Sequence, residues 1–236
     1  MKQISNSKDE LLYILKSFDG AKGDVCHLEE QFVEIAEHLL HGGFFLVSGA
    51  DMEPYRVYLH TVEFYYHEEY AKDPKFMDLI VYHRNCKSER VAPKRAFKIG
   101  TLNAHQSGID ITFEDNSNMK DPAYRASALI RCFKVKDLKD GKWVDREFAK
   151  PKDKTRPTVE AYPLHLYEYL FMQQVLTDVC VKWVDIPVTK GAIHTGPRIN
   201  VHKYDSSGNR KKEWDPRERA YSIEPFKKIY KPSSCR

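Results

Sequence analysis

A carboxylate within an apolar and aromatic strand is the feature of this sequence best suited to chemistry. The stretch RVYLHTVEFYYHEEY, residues 56–70, alternates with the period of two that is typical of a β-strand. This alternation predicts that one strand face carries Val57, Leu59, Thr61, Glu63 and Tyr65. Because the first two are apolar, we expect this face, and Glu63 with it, to point inward. A buried carboxylate can act as a general base, or it can close a structural salt bridge with an arginine such as Arg84 or Arg131.

Histidines and acids elsewhere in the chain are further candidates for a site. Residues 67–96 are polar and poorly periodic, which predicts a long loop, and this loop contains His83. His105 and Asp110 flank the glycine of a predicted strand turn, so they either face a ligand or form a polar pair in the core. A metal site built from the three is an alternative, because imidazole and carboxylate groups are suitable ligands. No close-spaced ligand pair favours it, and we expect no metal.

The elements that must position these residues indicate a single α+β domain over residues 1–236. Helical spacing in SKDELLYILKS and HLEEQFVEIAEHLLH predicts two early helices. The stretches FFLVSG and ADMEP, followed by the strand of Glu63, predict a hairpin. We expect the remaining segments to be two short strands around Gly108, a strand at RASALIRCFKV, an exposed insertion at 137–157, a helix after Pro163 through DVCVKW, closing strands at GPRINVHKYD and RAYSIEP, and a basic tail at 226–236. This order predicts a mostly antiparallel, curved sheet with helices packed around it.

Composition restricts the class of protein. The 236 residues include 42% hydrophobic and 12% aromatic residues, which is typical of a globular chain. The formal charge of +4 permits a polyanionic partner without requiring one. Five widely spaced cysteines argue against a disulfide framework and against a cysteine-rich zinc site. There is no apolar opening segment or membrane-length apolar run, so we expect a cytoplasmic protein without membrane contact.

Several motifs, taken in order, resemble the 3-methyladenine (alkylpurine) DNA glycosylases of the single-domain α+β type. The family's leucine- and glycine-terminated helix, hairpin and TEAY strand are similar to AEHLLHGGFFLVSG followed by TVEFYYHEEY. Its PGTLYVY segment resembles IGTLNAH, and its VLIRALEP strand resembles ALIRCFKV. Its closing TPRIGI and WRF strands resemble GPRINV and AYSIEP. A single motif of this kind is close to noise, but five motifs in the family's order are much more specific.

The resemblance implies roles for particular residues. Glu63 falls on the family's catalytic glutamate, which activates a water molecule, and Tyr65 falls on its base-stacking tyrosine. His83 falls on the base-contacting histidine, and Arg131 lies in the strand that resembles VLIRALEP. We expect Arg131 to anchor a carboxylate or a phosphate, since the guanidinium fork suits either role. A glycosylase of this kind flips the target nucleotide out of double-stranded DNA into an aromatic pocket, needs no cofactor and is expected to be a monomer.

Three departures from the family pattern concern the pocket. His105 replaces the second stacking tyrosine, and Gln106 or Ser107 stands near the tyrosine that fills the vacated stack. Glu114, or the earlier Asp110, replaces the pocket asparagine. An acidic pocket prefers bases that carry hydrogen-bond donors, so we expect a damaged or modified base with hydroxyl or amino groups rather than a simple alkylpurine. The alternative is a catalytically silent module that binds nucleic acid or protein on the same fold.

Overall fold

Two amphipathic helices open the part of the chain that the computed structural model describes. They are α1 (Glu10–Ser17) and α2 (Val25–His41), as the sequence predicts. Asp24 caps α2 by accepting a hydrogen bond from the N–H of Cys26, and the helix ends at Gly42, whose N–H donates to the carbonyl of His38. The structure describes residues 10–68, 70–78, 95–105, 107–148, 166–171, 179–189, 191–199, 201–204 and 210–225.

Eleven strands follow within the described residues. They are β1 (Gly43–Gly49), β2 (Met52–His67), β3 (Leu102–His105), β4 (Gly108–Thr112), β5 (Arg125–Lys139), β6 (Lys142–Asp145), β7 (Val179–Asp185), β8 (His194–Gly196), β9 (His202–Tyr204), β10 (Arg210–Trp214) and β11 (Ala220–Ser222). Nine of them form one antiparallel sheet, whose main order is β3-β4-β5-β2-β1-β7. β6 pairs with the end of β5, and β11 pairs with the second half of β2 and with β8. β9 and β10 form a separate two-stranded sheet. This arrangement confirms the mostly antiparallel α+β prediction.

The main hydrophobic core lies between the two helices and one face of the sheet. The apolar side of α2 contributes Phe32, Ile35 and Leu39, which are buried as its periodicity predicts. The Phe32 ring stacks on that of Phe64 from β2, with a centroid separation of 4.7 Å. A second and smaller apolar cluster comprises Tyr65, Leu129 and Val201. The sheet therefore buries side chains on both faces, and only one face is apolar throughout.

Both central strands lose their alternation at the same level of the sheet. In β2, Leu59 and Val62 both enter the main core although they are three residues apart, and in β5 Phe133 and Ile130 do the same. Leu59 pairs with Phe133 and Val62 pairs with Ile130, so the two irregularities lie side by side. We call this feature the paired kink; two residues rather than one separate successive core side chains in each strand.

The paired kink overturns one prediction about the face of Glu63. Val57 and Leu59 point into the helix-side core, as do Val62 and Phe64 beyond the kink. Glu63 therefore points to the opposite face of the sheet, where it is nevertheless fully buried. The prediction of a buried carboxylate is confirmed, but the prediction that it shares a face with Val57 and Leu59 is wrong, because simple alternation does not hold across the kink.

The segment predicted as an exposed insertion begins as a regular hairpin. β5 and β6 pair around a turn at Asp140 and Gly141, and Arg146 forms an ion pair with Asp137 across the base of the hairpin. Phe148 then packs on Phe133, with ring centroids 5.9 Å apart. Residues 149–157 of the predicted insertion, like the basic tail at 226–236, lie outside the described residues.

The late helix is shorter than the sequence predicts. A helical turn that includes a π-helix, Tyr167–Phe171, buries Leu170 in the core, but VCVKW, residues 179–183, belongs to β7, which pairs with β1. Val179 and Trp183 are buried in β7, and these β-branched and aromatic residues favour a strand. Within the described residues, no helix has the length and apolarity to cross a membrane.

Candidate active site

Glu63 lies at the centre of a buried network on the sheet face opposite the helices. Its Oε2 atom is 2.8 Å from Nε of Arg131, and it also accepts a hydrogen bond from the Tyr65 hydroxyl at 2.9 Å. Its Oε1 atom accepts a hydrogen bond from the backbone N–H of Ile199 at 2.7 Å. The Glu63 side chain is fully buried, whereas that of Arg131 keeps 15% of its surface exposed. The carboxylate is therefore held by one cation and two neutral donors.

The Ile199 peptide closes this network into a ring. Its N–H donates to Glu63, and its carbonyl accepts a hydrogen bond from Nη2 of Arg131 at 2.9 Å. The Arg131 guanidinium thus contacts the Glu63 carboxylate and also the Ile199 peptide, which itself binds Glu63. The ring fixes the plane of the Glu63 carboxylate, because its two oxygens are bound from different directions.

Among the described residues, one ion pair and two hydrogen bonds to Glu63 leave one acceptor position for a further donor. A carboxylate offers about four acceptor positions, and the contacts with described residues use three of them. The remaining position belongs to Oε1, the oxygen on the Ile199 side. This is the oxygen to which a water molecule or a substrate hydroxyl would donate.

Tyr65 is held by its ring and by its hydroxyl. The guanidinium carbon of Arg198 lies 4.6 Å from the centroid of the Tyr65 ring, and the ring also belongs to the small cluster with Leu129 and Val201. Burial and the neighbouring charge of Glu63 raise the pKa of the Tyr65 phenol well above its ordinary value. The phenol therefore stays protonated at neutral pH and remains a donor to Glu63. The Arg198 guanidinium therefore covers one face of the Tyr65 ring.

Arg198 links the site to a buried group of charges. It donates to both oxygens of Asp78, at 2.8 and 2.9 Å, and to Asp215 at 2.8 Å. It also donates to the carbonyl of Phe64, the residue next to Glu63 in β2. Because Arg198 immediately precedes Ile199, these bonds fix the peptide that binds Glu63.

Asp78 joins further arginines to the same group. Arg217 and Arg219 both contact its carboxylate, at 2.5 and 3.3 Å. Burial alone would raise the pKa of Asp78, but these two guanidinium groups and that of Arg198 outweigh it and hold the pKa well below its ordinary value. We refer to Asp78, Arg198, Asp215, Arg217 and Arg219 as the charge cluster.

Asp110 lies in the same cross-strand row as Glu63. The register pairs Asp110 with Leu129 and Leu129 with Glu63, and directly paired residues share a sheet face. Two strand spacings of about 4.8 Å put the backbones of Asp110 and Glu63 about 10 Å apart. Asn103 of β3 pairs with Asp110 and continues the row.

His105 is oriented by contacts to both of its ring nitrogens. Its Nδ1 accepts a hydrogen bond from the N–H of Ser107 at 3.2 Å, and its Nε2 is 3.1 Å from Asp110. A ring nitrogen that accepts carries no proton, so the Ser107 contact puts the ring proton on Nε2, the nitrogen that lies beside Asp110. Gln106 and Ser107 are the residues near the position of the tyrosine that fills the vacated stack in the family. The backbone N–H of Ser107 binds His105 at the turn, and Gln106 lies outside the described residues.

Glu114 occupies a different part of the same face. It forms a buried ion pair with Arg125 at 3.0 Å and accepts a hydrogen bond from the N–H of Phe97 at 2.8 Å. Arg125 is four residues from Leu129 along β5, or about 13 Å at strand spacing. The structure thus places Asp110, rather than Glu114, in the row of Glu63.

The structure brings some of the predicted site residues into contact and leaves others apart. Glu63, Tyr65 and Arg131 are in direct contact, and Asp110 with His105 flanks them two strands away. His83 lies outside the described residues. Among the residues that are described, no group of three or more histidine, cysteine or acidic side chains is arranged to hold a metal ion.

Sequence reasoning missed the contribution of the segment between β8 and β9. GPRINV was predicted to be a strand, yet Arg198 and Ile199 lie outside strands and bind the site through a guanidinium and a peptide group. A backbone N–H leaves no signal in a sequence. The proline before Arg198 is the one available clue that a continuous strand ladder is interrupted here.

Comparisons with protein-family models, with curated proteins and with solved structures find no match to this chain. The geometry of the Glu63 network and the motifs quoted above therefore carry the functional argument.

Proposed function

We propose that this protein is a monofunctional DNA glycosylase, with Glu63 as the residue that activates water. The observation that carries the proposal is a buried, oriented carboxylate with one acceptor position left among its described contacts. Hydrolysis of an N-glycosidic bond needs one such group, which orients a water molecule and removes its proton as the water attacks the anomeric carbon. We also propose that the fold is the one found in the alkylpurine DNA glycosylases, on the motifs that resemble that family.

In the proposed reaction, bond making and bond breaking balance without a cofactor. The water oxygen bonds to the anomeric carbon, and the water proton passes to Glu63. The bond between sugar and base breaks, its electron pair leaves with the base, and the base takes up a proton from solvent while Glu63 returns its proton to solvent. The negative charge of Glu63 also favours the positive charge that develops on the sugar.

Arg131 and Tyr65 act as positioning residues for Glu63 in this proposal. Both bind Oε2, which leaves Oε1 as the oxygen that faces the water. Arg131 also places a full positive charge beside the carboxylate and, through its bond to the Ile199 carbonyl, holds the peptide that binds Oε1.

For the substrate, we propose a damaged or modified base that presents hydrogen-bond donors. Asp110 is an acceptor in the row of Glu63, and Nε2 of His105 lies 3.1 Å from one of its carboxylate oxygens. An amino or hydroxyl group on the base can donate to a carboxylate, whereas a base edge made only of acceptors is repelled.

Base release measured on wild type and Glu63→Gln tests the proposal. The substrates are duplexes with methylated, deaminated, hydroxymethylated or glucosylated bases, and alkali treatment then reveals abasic sites. Loss of a general base typically slows a reaction about 10²- to 10⁴-fold, so we expect Glu63→Gln to lose release by that factor. Glu37→Gln makes the same chemical change on the exposed side of α2 and should release base at the wild-type rate.

The outcome also decides between this function and a catalytically silent module. The Glu63–Arg131 ion pair does not separate the two functions, because a purely structural carboxylate would have the same contact. Equal release by wild type and Glu63→Gln would remove Glu63 from the reaction. A wild-type protein that releases no base from any of these duplexes, yet binds them in a salt-dependent way, would be the silent module.

A further inference from the structure

A basic and aromatic surface covers the outward side of the sheet beyond the paired kink. We call it the basic-aromatic face. It comprises Phe44, Arg56, Tyr58, Lys134, Lys136, Trp143 and Lys182. All of these side chains except Phe44 are partly exposed, so four cations and two large rings are available to a partner.

The strand register sets the positions of the cations. Lys182 pairs with Leu46, Leu46 with Arg56, and Arg56 with Lys136, so these residues form one row across four strands. Three strand spacings of about 4.8 Å separate the ends of this row by about 14 Å. Lys134 lies in the next row, opposite Tyr58. The cations therefore form a two-row array rather than an isolated pair.

Aromatic rings hold two of the cations in place. The guanidinium carbon of Arg56 lies 4.5 Å from the Phe44 ring centroid and 3.8 Å from that of Trp143. Nζ of Lys136 lies 5.5 Å from the centroid of Tyr58. A cation held on a ring loses little further conformational entropy when it binds an anion.

Within the described part of the chain, few acidic side chains lie beside this face. Asp145 is 3.5 Å from Lys136 and ends the first row. Glu224 is 3.8 Å from the buried His60, next to the paired kink. These two carboxylates at the border do not balance the four cations, so the face has a positive field that suits a polyanion.

The basic-aromatic face lies on the same side of the sheet as Glu63. Val57 and Leu59 enter the helix-side core, so the alternating Arg56 and Tyr58 point to the opposite side, where Glu63 also points. Five residues separate Tyr58 from Glu63, which is about 16 Å along a strand. Successive nucleotides of one DNA strand advance about 3.4 Å. The face therefore lies about five nucleotide steps from the carboxylate.

We propose that the basic-aromatic face binds the phosphodiester backbone of DNA that flanks the flipped nucleotide. The inference rests on the proposed function for the identity of the partner. An acidic protein would also fit a positive field, but DNA is favoured by two observations. The face continues on the same side as the Glu63 site, and Tyr58 and Trp143 offer ring surface on which sugars and bases can pack.

Salt-dependent binding of an unmodified fluorescent 20-base-pair duplex tests this inference without requiring catalysis. The test variant is Lys134→Gln/Lys182→Gln, which leaves the stack around Arg56 and the Lys136–Asp145 pair in place. Each phosphate contact contributes about 0.9 to the slope of log affinity against log salt, so the slope should fall in magnitude by about 1.8. Affinity at 0.1 M salt should fall more than about tenfold. The matched control is Lys16→Gln/Lys22→Gln on the helix side, where both lysines are exposed.

Each outcome is decisive for the surface. A reduced slope in the test variant with an unchanged slope in the control supports the inference, and a wild-type slope in the test variant overturns it. Polyglutamate that displaces the duplex as well as unlabelled duplex of equal charge would also overturn it, and would assign the face to an acidic protein.

The result stands apart from the proposed reaction. Glu63→Gln should bind the duplex with the wild-type slope, because Glu63 contacts no phosphate in this arrangement. A protein that releases no base but loses salt slope in Lys134→Gln/Lys182→Gln keeps the surface and loses the reaction. The opposite pattern keeps the reaction and loses the surface.

Discussion

Among the described residues, Glu63 combines a structural contact with one acceptor position that has no donor, and the two belong to different oxygens. Oε2 is used by Arg131 and Tyr65, whereas Oε1 takes a single N–H from Ile199 among the described residues. The salt bridge that a structural interpretation requires and the oriented base that a catalytic one requires are thus present in the same side chain. The contact with Arg131 does not separate the two interpretations, but base release by Glu63→Gln does.

The contribution of the Glu63–Arg131 pair to the free energy of unfolding can be measured directly. Arg131→Met removes the cation beside a fully buried carboxylate, and breaking a buried ion pair in this way costs about 3–5 kcal/mol. We expect the lower end of that range, since Arg131 is partly exposed. Urea unfolding measures the change, and Lys134→Met on the same strand, which lies outside the pair, should cost much less.

The double variant Glu63→Gln/Arg131→Met identifies the cause of that loss. If the cost comes from the uncompensated charge, neutralising Glu63 should restore part of the unfolding free energy. A double variant that is as unstable as, or less stable than, Arg131→Met alone would show that lost packing, and not charge, is responsible.

At the scale of elements, local patterns predict the first half of the fold well. The apolar period of α2 and the turn between β1 and β2 are both found where the sequence places them. These features depend on residues close in sequence, so local reasoning is sufficient. β7 was predicted as a helix because Val179 and Trp183 are four residues apart, a spacing that fits a helix as well as a strand, and only pairing with β1 decides its state.

Close packing of β1 against β7 gives a prediction at this scale. A Cβ added to Gly43 would lie 2.5 Å from the Val184 carbonyl oxygen and 2.6 Å from the ring of the buried Trp183. Neither a ladder carbonyl nor a buried indole can move away freely. Gly43→Ala should therefore cost about 1–3 kcal/mol, as overpacking does, and thermal unfolding measures it.

Gly49→Ala at the other end of β1 is the matched control. Its added Cβ would lie 3.2 Å from the flexible Met52 side chain and 3.3 Å from a methyl group of Val179, and both contacts need a shift of only a few tenths of an ångström. An equal loss of thermal stability in the two variants would contradict the packing argument, because a general preference for glycine in β1 would then explain both.

At the scale of the whole molecule, the charge cluster joins segments that are far apart in sequence. Asp78 lies beyond β2, Arg198 lies after β8, and Arg219 reaches Glu29 of α2 at 3.0 Å as well as Asp78. No local pattern signals such contacts, which explains why the sequence did not single out these residues. The cluster positions Ile199 and thereby connects the global fold to the Glu63 site.

We expect acid to reduce the stabilising contribution of the charge cluster. The pKa of Asp78 is lowered on folding, so its contribution to stability is fully present above the ordinary value of about 3.8. Protons bind more tightly to the unfolded state, and the contribution is therefore lost progressively as the pH falls below about 4. Asp215, whose pKa is also lowered despite partial burial, acts in the same direction. Free energies of urea unfolding at pH 7, 5, 4 and 3 should fall over the last steps.

Asp78→Asn removes the titrating group and isolates its share. We expect a loss of about 3–5 kcal/mol at pH 7 and a flatter dependence on pH below 5. Asp19→Asn is the control, because Asp19 is largely exposed and its pairs with Lys22 and His27 are worth little. Parallel pH curves for wild type and Asp78→Asn would show that the acid sensitivity arises elsewhere.

The paired kink changes which alternate residues of β2 and β5 face the helices. On either side of it, β2 and β5 follow the same two-residue rule, but the positions that face the helices are odd-numbered on one side and even-numbered on the other. A single apolar core can therefore run the length of the sheet while the reverse face changes from a cationic surface to a buried carboxylate. The loss of one residue from the kink would exchange the two faces over half of β2, so that Glu63 would enter the core and Phe64 would take its place. The division between core and candidate site thus depends on one count of residues, and not on the identity of any single side chain.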